Sequence, residues 1–359
     1  MKKRYFNSIQ FIRIFAFLNV FLLHAGAYRV TSFQENAAWA VSFFIMISGF
    51  LYGYQYYRDS NLKISSTIRF FVSKLFKVYP LYFLMTLLMF PFSEVFRVGR
   101  EPVLSYVFKK IFYNLFLIQS FHFDRKINYA FTGVGWFLST FMFLMLLTIP
   151  LICLLKKFVH KKAHILFILL LCFLSSMIYT EGIQMIHAEA SYFAYIFPFA
   201  RLFEYVSGIL LGFYCSAEKI IVPKLSKKIV FTFLELGIFV VLIFLFTFSE
   251  RFPYFNSAVL WILPNLVLIY IFSKEYGFLS KIFALPFFTR LGSLTFDAYL
   301  IHEVLLMYVY IVPSINVGIR RCEKLGILLF CLFMSFLFAE YHQKNSLFDQ
   351  ISKKMLEYF

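Results

Sequence analysis

The stretch SIQFIRIFAFLNVFLLHAG, Ser8–Gly26, decides the fold. It is apolar over the length an α-helix needs to cross a hydrocarbon layer about 30 Å thick. It also carries two ionisable residues, Arg13 and His24. The preceding MKKRYF is basic, and no A-x-A cleavage site follows, so the stretch reads as a retained first helix rather than a removed signal. Eleven residues at about 100° each return His24 to within about 20° of the direction of Arg13, about 16 Å along the axis. One wall of the helix then presents a fixed cation and, farther out, an imidazole. Arginine suits phosphate and carboxylate groups; an imidazole accepts a proton near neutral pH and suits a general base. The plainer reading of the same pair is an Arg13 that snorkels inward and a His24 that caps the helix at the outer headgroups.

The rest of the chain repeats the pattern. Of 359 residues, 61% are apolar and 15% charged, and the mean hydropathy is +0.77. Soluble domains hold about 45–50% apolar and about 25% charged residues. This composition excludes an ordinary water-soluble enzyme, a disordered chain and a disulfide scaffold. The five cysteines form no C-x-x-C pair and read as packing residues. Ten apolar runs stand out, at about 6–27, 38–57, 76–96, 133–155, 163–180, 196–215, 229–249, 255–273, 288–311 and 325–342. An eleventh, about 104–122, carries Lys109 and Lys110 in its middle. A charge at bilayer depth costs about 2.5–3.5 kcal/mol on insertion scales, so this run is expected to be a re-entrant or interfacial helix.

Charge decides the orientation. The net charge of +17 is spread in short clusters between apolar runs, as the positive-inside rule produces, and not gathered into a nucleic-acid-binding face. With ten crossings and both ends inside, 22 of the 35 Lys and Arg fall on the inner side and 11 on the outer, with Arg13 and Arg201 within the membrane. If 104–122 also crossed, the later clusters, including Lys156–Lys162, would change side. The expectation is an all-α, polytopic helix bundle with cytoplasmic termini: one membrane domain, 1–345, and a short tail, 346–359. No internal repeat or low-complexity linker stands out, and no appended soluble domain is expected, so any chemistry is expected in the bundle or at its mouths.

Six segments, in order, carry a resemblance. They are Arg13-x10-His24; FFIMISGF (Phe43–Phe50), containing Ser48 and Gly49; KLFKVYP (Lys74–Pro80); GWFLSTFMFLML (Gly135–Leu146) around Trp136; ARLFEYVSGILLG (Ala200–Gly212) with Arg201 and Glu204; and LGSLTFDAYLIHEVLL (Leu291–Leu306) with Tyr299 and His302. Near the end, FAEYHQK places Glu340. Together, over about residues 8–345, they resemble the membrane acyltransferase-3 family. Four positions depart from its pattern: Gln10 for an acidic residue before the Arg, Lys74 and Lys77 for two arginines, and Phe141 for a glutamate.

The resemblance implies an integral O-acyltransferase of the bacterial cytoplasmic membrane. Acetyl-CoA, or another short acyl-CoA, would donate at the inner side. The acceptor would be a sugar hydroxyl on an envelope glycan or lipid-linked sugar, reached with or without a separate extracytoplasmic partner. His24 would act as base and Arg13 would orient the donor, with Lys74, Lys77 and Arg201 as its further contacts. The residues themselves leave plainer readings open: an intrahelical Arg201–Glu204 ion pair, Lys74 and Lys77 as ordinary inner-side cations, Ser48 as a packing residue in a small-residue patch, and His302 as a satisfied core histidine. No metal-ligand spacing and no phosphate-binding G-x-x-x-x-G-K-[ST] loop occurs. The rival class is a multi-span transporter or flippase of glycans or lipid-linked sugars; a membrane polysaccharide polymerase would need longer outer segments than 97–132.

Overall fold

The computed structural model of the chain describes residues 4–26, 36–92, 104–186, 190–219, 221–251, 255–311 and 321–345. The expected tail, 346–359, lies outside them, as do Lys2, Lys3, Arg29, Arg97, Arg100, Arg320, Lys353 and Lys354 from the charge reading. Among the described residues there is no strand. The helices, in order, are α1 Asn7–His24, α2 Ala37–Tyr56, α3 Thr67–Met89, α4 Leu104–Leu115, α5 Arg125–Asn128, α6 Gly135–Phe158, α7 Lys162–Ile186, α8 Ala190–Tyr195, α9 Leu202–Ala217, α10 Leu225–Phe248, α11 Val259–Lys274, α12 Phe278–Phe283, α13 Pro286–Ile311 and α14 Arg321–Lys344.

Each of the ten apolar runs overlaps one of these helices. Among the described residues, seven helical segments are long and apolar enough to cross a membrane. Of the other three, α9 and α11 have 16 residues, and the hydropathy of α13, with 26, is diluted by polar residues that include Arg290, Asp297 and Glu303. Helix α3 begins nine residues before its apolar run, because Arg69 and Lys74 lower the hydropathy of a stretch that is helical nonetheless. The ambiguous 104–122 run breaks after Leu115, and Leu117 takes a left-handed φ of 54°. At about 1.5 Å per residue, the 12 residues of α4 span about 18 Å, too little to cross. Helices α7 and α10 expose long apolar rows (Leu166, Phe167, Leu170 and Ile178 on one; Phe233, Val240, Ile243 and Phe244 on the other). Such rows are untenable in water and suited to lipid.

The chain divides into two compact units. The first holds Met1–Ala16, Asn36–Thr67 and Leu144–Ser293, and a glycine seam between α2 and α9 organises it. A methyl group at Gly49 would overlap the carbonyl oxygen of Tyr205, and one at Gly53 that of Ile209. In return, methyls at Gly208 and Gly212 would overlap the carbonyls of Met46 and Phe50. The G-x-x-x-G spacing on both helices brings the two backbones into contact, the packing that small residues permit in lipid, where no hydrophobic force draws helices together. Asn265 of α11 donates to Ser42 of α2 at 3.2 Å. Buried Glu235 of α10 accepts from the amides of Leu279 (3.0 Å) and Ser280 (3.3 Å) at the start of α12, answering amide groups that a helix start leaves free.

The second unit holds Phe17–Glu35, Ile68–Phe143 and Leu294–Phe359. Here the hydroxyls of Tyr79 and Tyr82 on α3 donate to the carbonyls of Leu115 (2.9 Å) and Asn114 (3.0 Å), pinning the end of α4. Helix α4 turns Val107 and Asn114 inward and leaves Phe108 and Phe112 exposed.

Candidate functional site

The site is built in the second unit, on α13. Three of its residues are committed to polar partners. The Tyr299 hydroxyl donates to the carbonyl of Val134 at 3.3 Å. The Glu303 carboxylate accepts from the amides of Gly133 (2.9 Å) and Val134 (3.1 Å). Two residues one helical turn apart thus clamp the turn that starts α6. A methyl group at Gly133 would lie 2.5 Å from Glu303 Oε1, so any side chain there would push the carboxylate aside.

Between them stands His302, wholly buried. Its ring lies edge-on to Phe17, with centroids 5.6 Å apart, and tilted over Phe21 at 6.0 Å. Its Nδ1 is 2.6 Å from the Tyr299 carbonyl oxygen, and its Nε2 is 2.8 Å from Nδ1 of His24. The two imidazoles are nearly parallel, at 12°, with centroids 5.1 Å apart. His24 is half-buried at the end of α1, and its Nε2 has no hydrogen-bond partner among the described residues. Two rings in series, one sealed in aromatic packing and one reaching the edge, form a unit that can take up and hold a proton.

The start of α6 backs this arrangement. Trp136 is buried there. Phe137 packs on Tyr299 at 5.3 Å, and Phe141, where the resemblance expects a carboxylate, packs on Phe296 at 6.0 Å. The preceding segment is held by buried polar groups: the Ser120 and Ser139 hydroxyls are 2.7 Å apart, and the Asn128 amide donates to the carbonyl of Gln119 at 2.6 Å. It also retains three buried acceptor oxygens, on Gln119, Asn128 and Thr132, with no partner among the described residues.

The remaining predicted residues fall as follows. Arg13 is half-buried, and its Nη1 donates to Gln10 at 3.1 Å. Arg201 and Glu204 are wholly buried and paired at 3.0 Å. Arg201 also donates to the carbonyls of Tyr195 (2.9 Å) and Ser257 (2.8 Å) and stacks over the Tyr195 ring. Its Nη2 and the Oε1 of Glu204 have no partner among the described residues. Ser48 donates back to the Phe44 carbonyl at 2.7 Å, and Gly49 lies in the seam. Lys74 sits over the Phe70 ring, half-buried, and Lys77 is exposed. Glu340 pairs with Lys344 at 2.9 Å on an exposed face of α14.

Sequence reading singled out both His24 and His302 but had no means to join them across 278 positions. It passed over Glu303 and the Asp297–His342 pair, whose side chains are 3.2 Å apart. The signal was present: a carboxylate inside an apolar helix is costly unless it is held. Among the described residues no three His, Cys, Asp or Glu side chains converge as metal ligands would.

The His24–His302 pair and the clamped turn make up the candidate site of an all-helical, lipid-suited chain. The family profile described as an acyltransferase domain matches residues 6–341, nearly the whole chain. The chain belongs to the membrane acyltransferase-3 family. No curated protein and no solved structure matches it at a significant level. It is an acyltransferase of the membrane, and the carrier reading is left without support.

Proposed function

We propose that the protein transfers a short acyl group, acetyl in the simplest case, from a coenzyme A thioester to a sugar hydroxyl of an envelope glycan or lipid-linked sugar, with His24 as general base. The observation that carries the reading is the His24 ring: tied through Nδ1, open at Nε2, half-buried, in a chain of the acyltransferase family. In the reaction, Nε2 takes the proton of the acceptor hydroxyl. The oxygen attacks the thioester carbonyl, the C–S bond breaks, and the thiolate leaves to recover the proton from the imidazolium. Positioned base catalysis of this kind contributes about 10²–10⁴-fold.

Arg13, Lys74 and Lys77 are the cations this reading assigns to the anionic donor, because guanidinium and ammonium groups suit phosphates; Arg201, expected among them, is wholly buried and engaged by Glu204 and two carbonyls. A hydroxyl-rich acceptor is supported by the unpartnered oxygens of Gln119, Asn128 and Thr132, since buried acceptors call for donors and a sugar brings several. We place the chain in a bacterial cytoplasmic membrane with ten crossings and both termini inside, and take 1–345 as one catalytic domain with a tail after it.

The test is mass analysis of envelope glycans from cells with the chain, without it, and with His24→Ala. The expected result is a gain of one acyl mass with the native chain and a loss of at least 100-fold with the variant, at equal membrane content. Unchanged acylation by His24→Ala would end the base assignment.

A further inference from the structure

We infer that His302 is a positioning residue that decides which nitrogen of His24 carries the proton. The inference rests on the acyl-transfer reading above and adds a residue to it. The logic begins at the far end of the chain of contacts. The Tyr299 carbonyl oxygen, 2.6 Å from Nδ1 of His302, has lone pairs and no proton. That bond therefore exists only if Nδ1 of His302 carries hydrogen. In the neutral ring, Nε2 of His302 then holds a lone pair.

That lone pair faces Nδ1 of His24 at 2.8 Å. The hydrogen between the rings therefore belongs to His24 Nδ1. A neutral His24 protonated at Nδ1 has its remaining lone pair on Nε2, the nitrogen without a partner among the described residues. A single backbone carbonyl thus fixes the tautomer of two rings in turn.

The alternative assignment needs a doubly protonated His302, which would donate to His24 Nδ1 and leave the hydrogen on His24 Nε2, where it blocks the base. His302 is wholly buried against the rings of Phe17 and Phe21. A charge there lacks an anionic partner, because the adjacent Glu303 carboxylate is engaged by the amides of Gly133 and Val134. Phe141, packed on Phe296, brings no carboxylate either. A neutral imidazole thus does the orienting that a carboxylate does in better-known triads. During transfer the acceptor proton moves to His24 Nε2. The hydrogen on Nδ1 stays in its bond to His302, whose lone pair faces the positive charge, and no proton passes on to His302.

The experiment uses the full chain in lipid nanodiscs with ¹⁵N-labelled histidine, the His24 signals being assigned by difference from His24→Ala. The native ring should show protonated Nδ1 and unprotonated Nε2. In His302→Phe the two tautomers should mix and transfer should fall about 10–100-fold, the usual effect of losing an orienting partner, with KM little changed. In His302→Gln, whose side-chain oxygen accepts the same bond, the native tautomer and most of the rate should return. A native His24 protonated at Nε2, or a His302→Phe variant that keeps both tautomer and rate, would overturn the inference. The outcomes separate it from the reading beneath it. Transfer abolished by His24→Ala with the wrong tautomer removes this inference alone. The expected tautomer with transfer untouched by His24→Ala removes the acyl-transfer role of the pair.

Discussion

Two buried polar couples divide the molecule's labour: Arg201 with Glu204 in the first unit, and His24 with His302 in the second. The first is a permanent charge pair with both members wholly buried, and the guanidinium is drawn to two carbonyls and an aromatic face besides its carboxylate. The second joins two imidazoles, neutral in the inference above, and one member reaches the edge with a nitrogen to spare. Both defy the cost of polar groups at bilayer depth, by opposite means. One is nearly saturated and so is suited to holding structure. The other leaves one ring nitrogen open among the described residues, as the proposed base role requires.

The contrast breaks first if Arg201 proves dispensable for folding. Arg201→Met leaves Glu204 buried without its counter-charge, and removing one partner of a buried pair costs about 3–5 kcal/mol. Thermal unfolding in detergent should show a steep loss, and Arg201→Met with Glu204→Leu should recover much of it. A single variant as stable as the parent would mean that the couple is solvated and the comparison false. His24→Ala should move stability far less while removing activity. The next effect in size lies in the glycine seam. Gly208→Val pushes a side chain into the Met46 carbonyl, and overpacking of this kind costs about 1–3 kcal/mol, measurable as a lower unfolding midpoint and a smaller monodisperse fraction. The smallest is expected at Glu340, which the family resemblance singled out. Its pair with Lys344 is an exposed i, i+4 contact, and such pairs contribute about 0.3–0.5 kcal/mol. Glu340→Gln should leave midpoint and transfer rate almost unchanged; a large loss of rate would move this residue into the chemistry.

Much of the architecture was legible in the sequence because a membrane segment announces itself by length and apolarity. What escaped were places where local chemistry and hydropathy disagree. The basic start of α3 is helical although it looks like a loop, because a helix at a membrane surface can carry Arg69, Lys74 and Lys77 within its first three turns. The break at Leu117 was hidden because backbone conformation there follows tertiary contacts of Asn114 and Gln119 rather than a turn residue. At the site, residue types were readable one by one: His24 and His302 each stand out in an apolar helix. Their contact was not, since periodicity reports faces within a helix and says nothing of which distant helix a face will meet. Glu303 was missed for a related reason. Its partners are backbone amides at 133 and 134, and amides carry no residue-specific signal.

The α2–α9 seam has a mechanical consequence. Over two turns, the Cα hydrogens of four glycines aim at carbonyl oxygens of the facing helix, an arrangement that contributes weak but recurrent attraction. Sliding one helix by a single residue would bring Phe50 or Ile209 where a hydrogen now stands, so the seam has one register and no neighbouring minimum. The two helices therefore move as one beam, and any flexing that admits or releases a substrate has to be taken up by other joints.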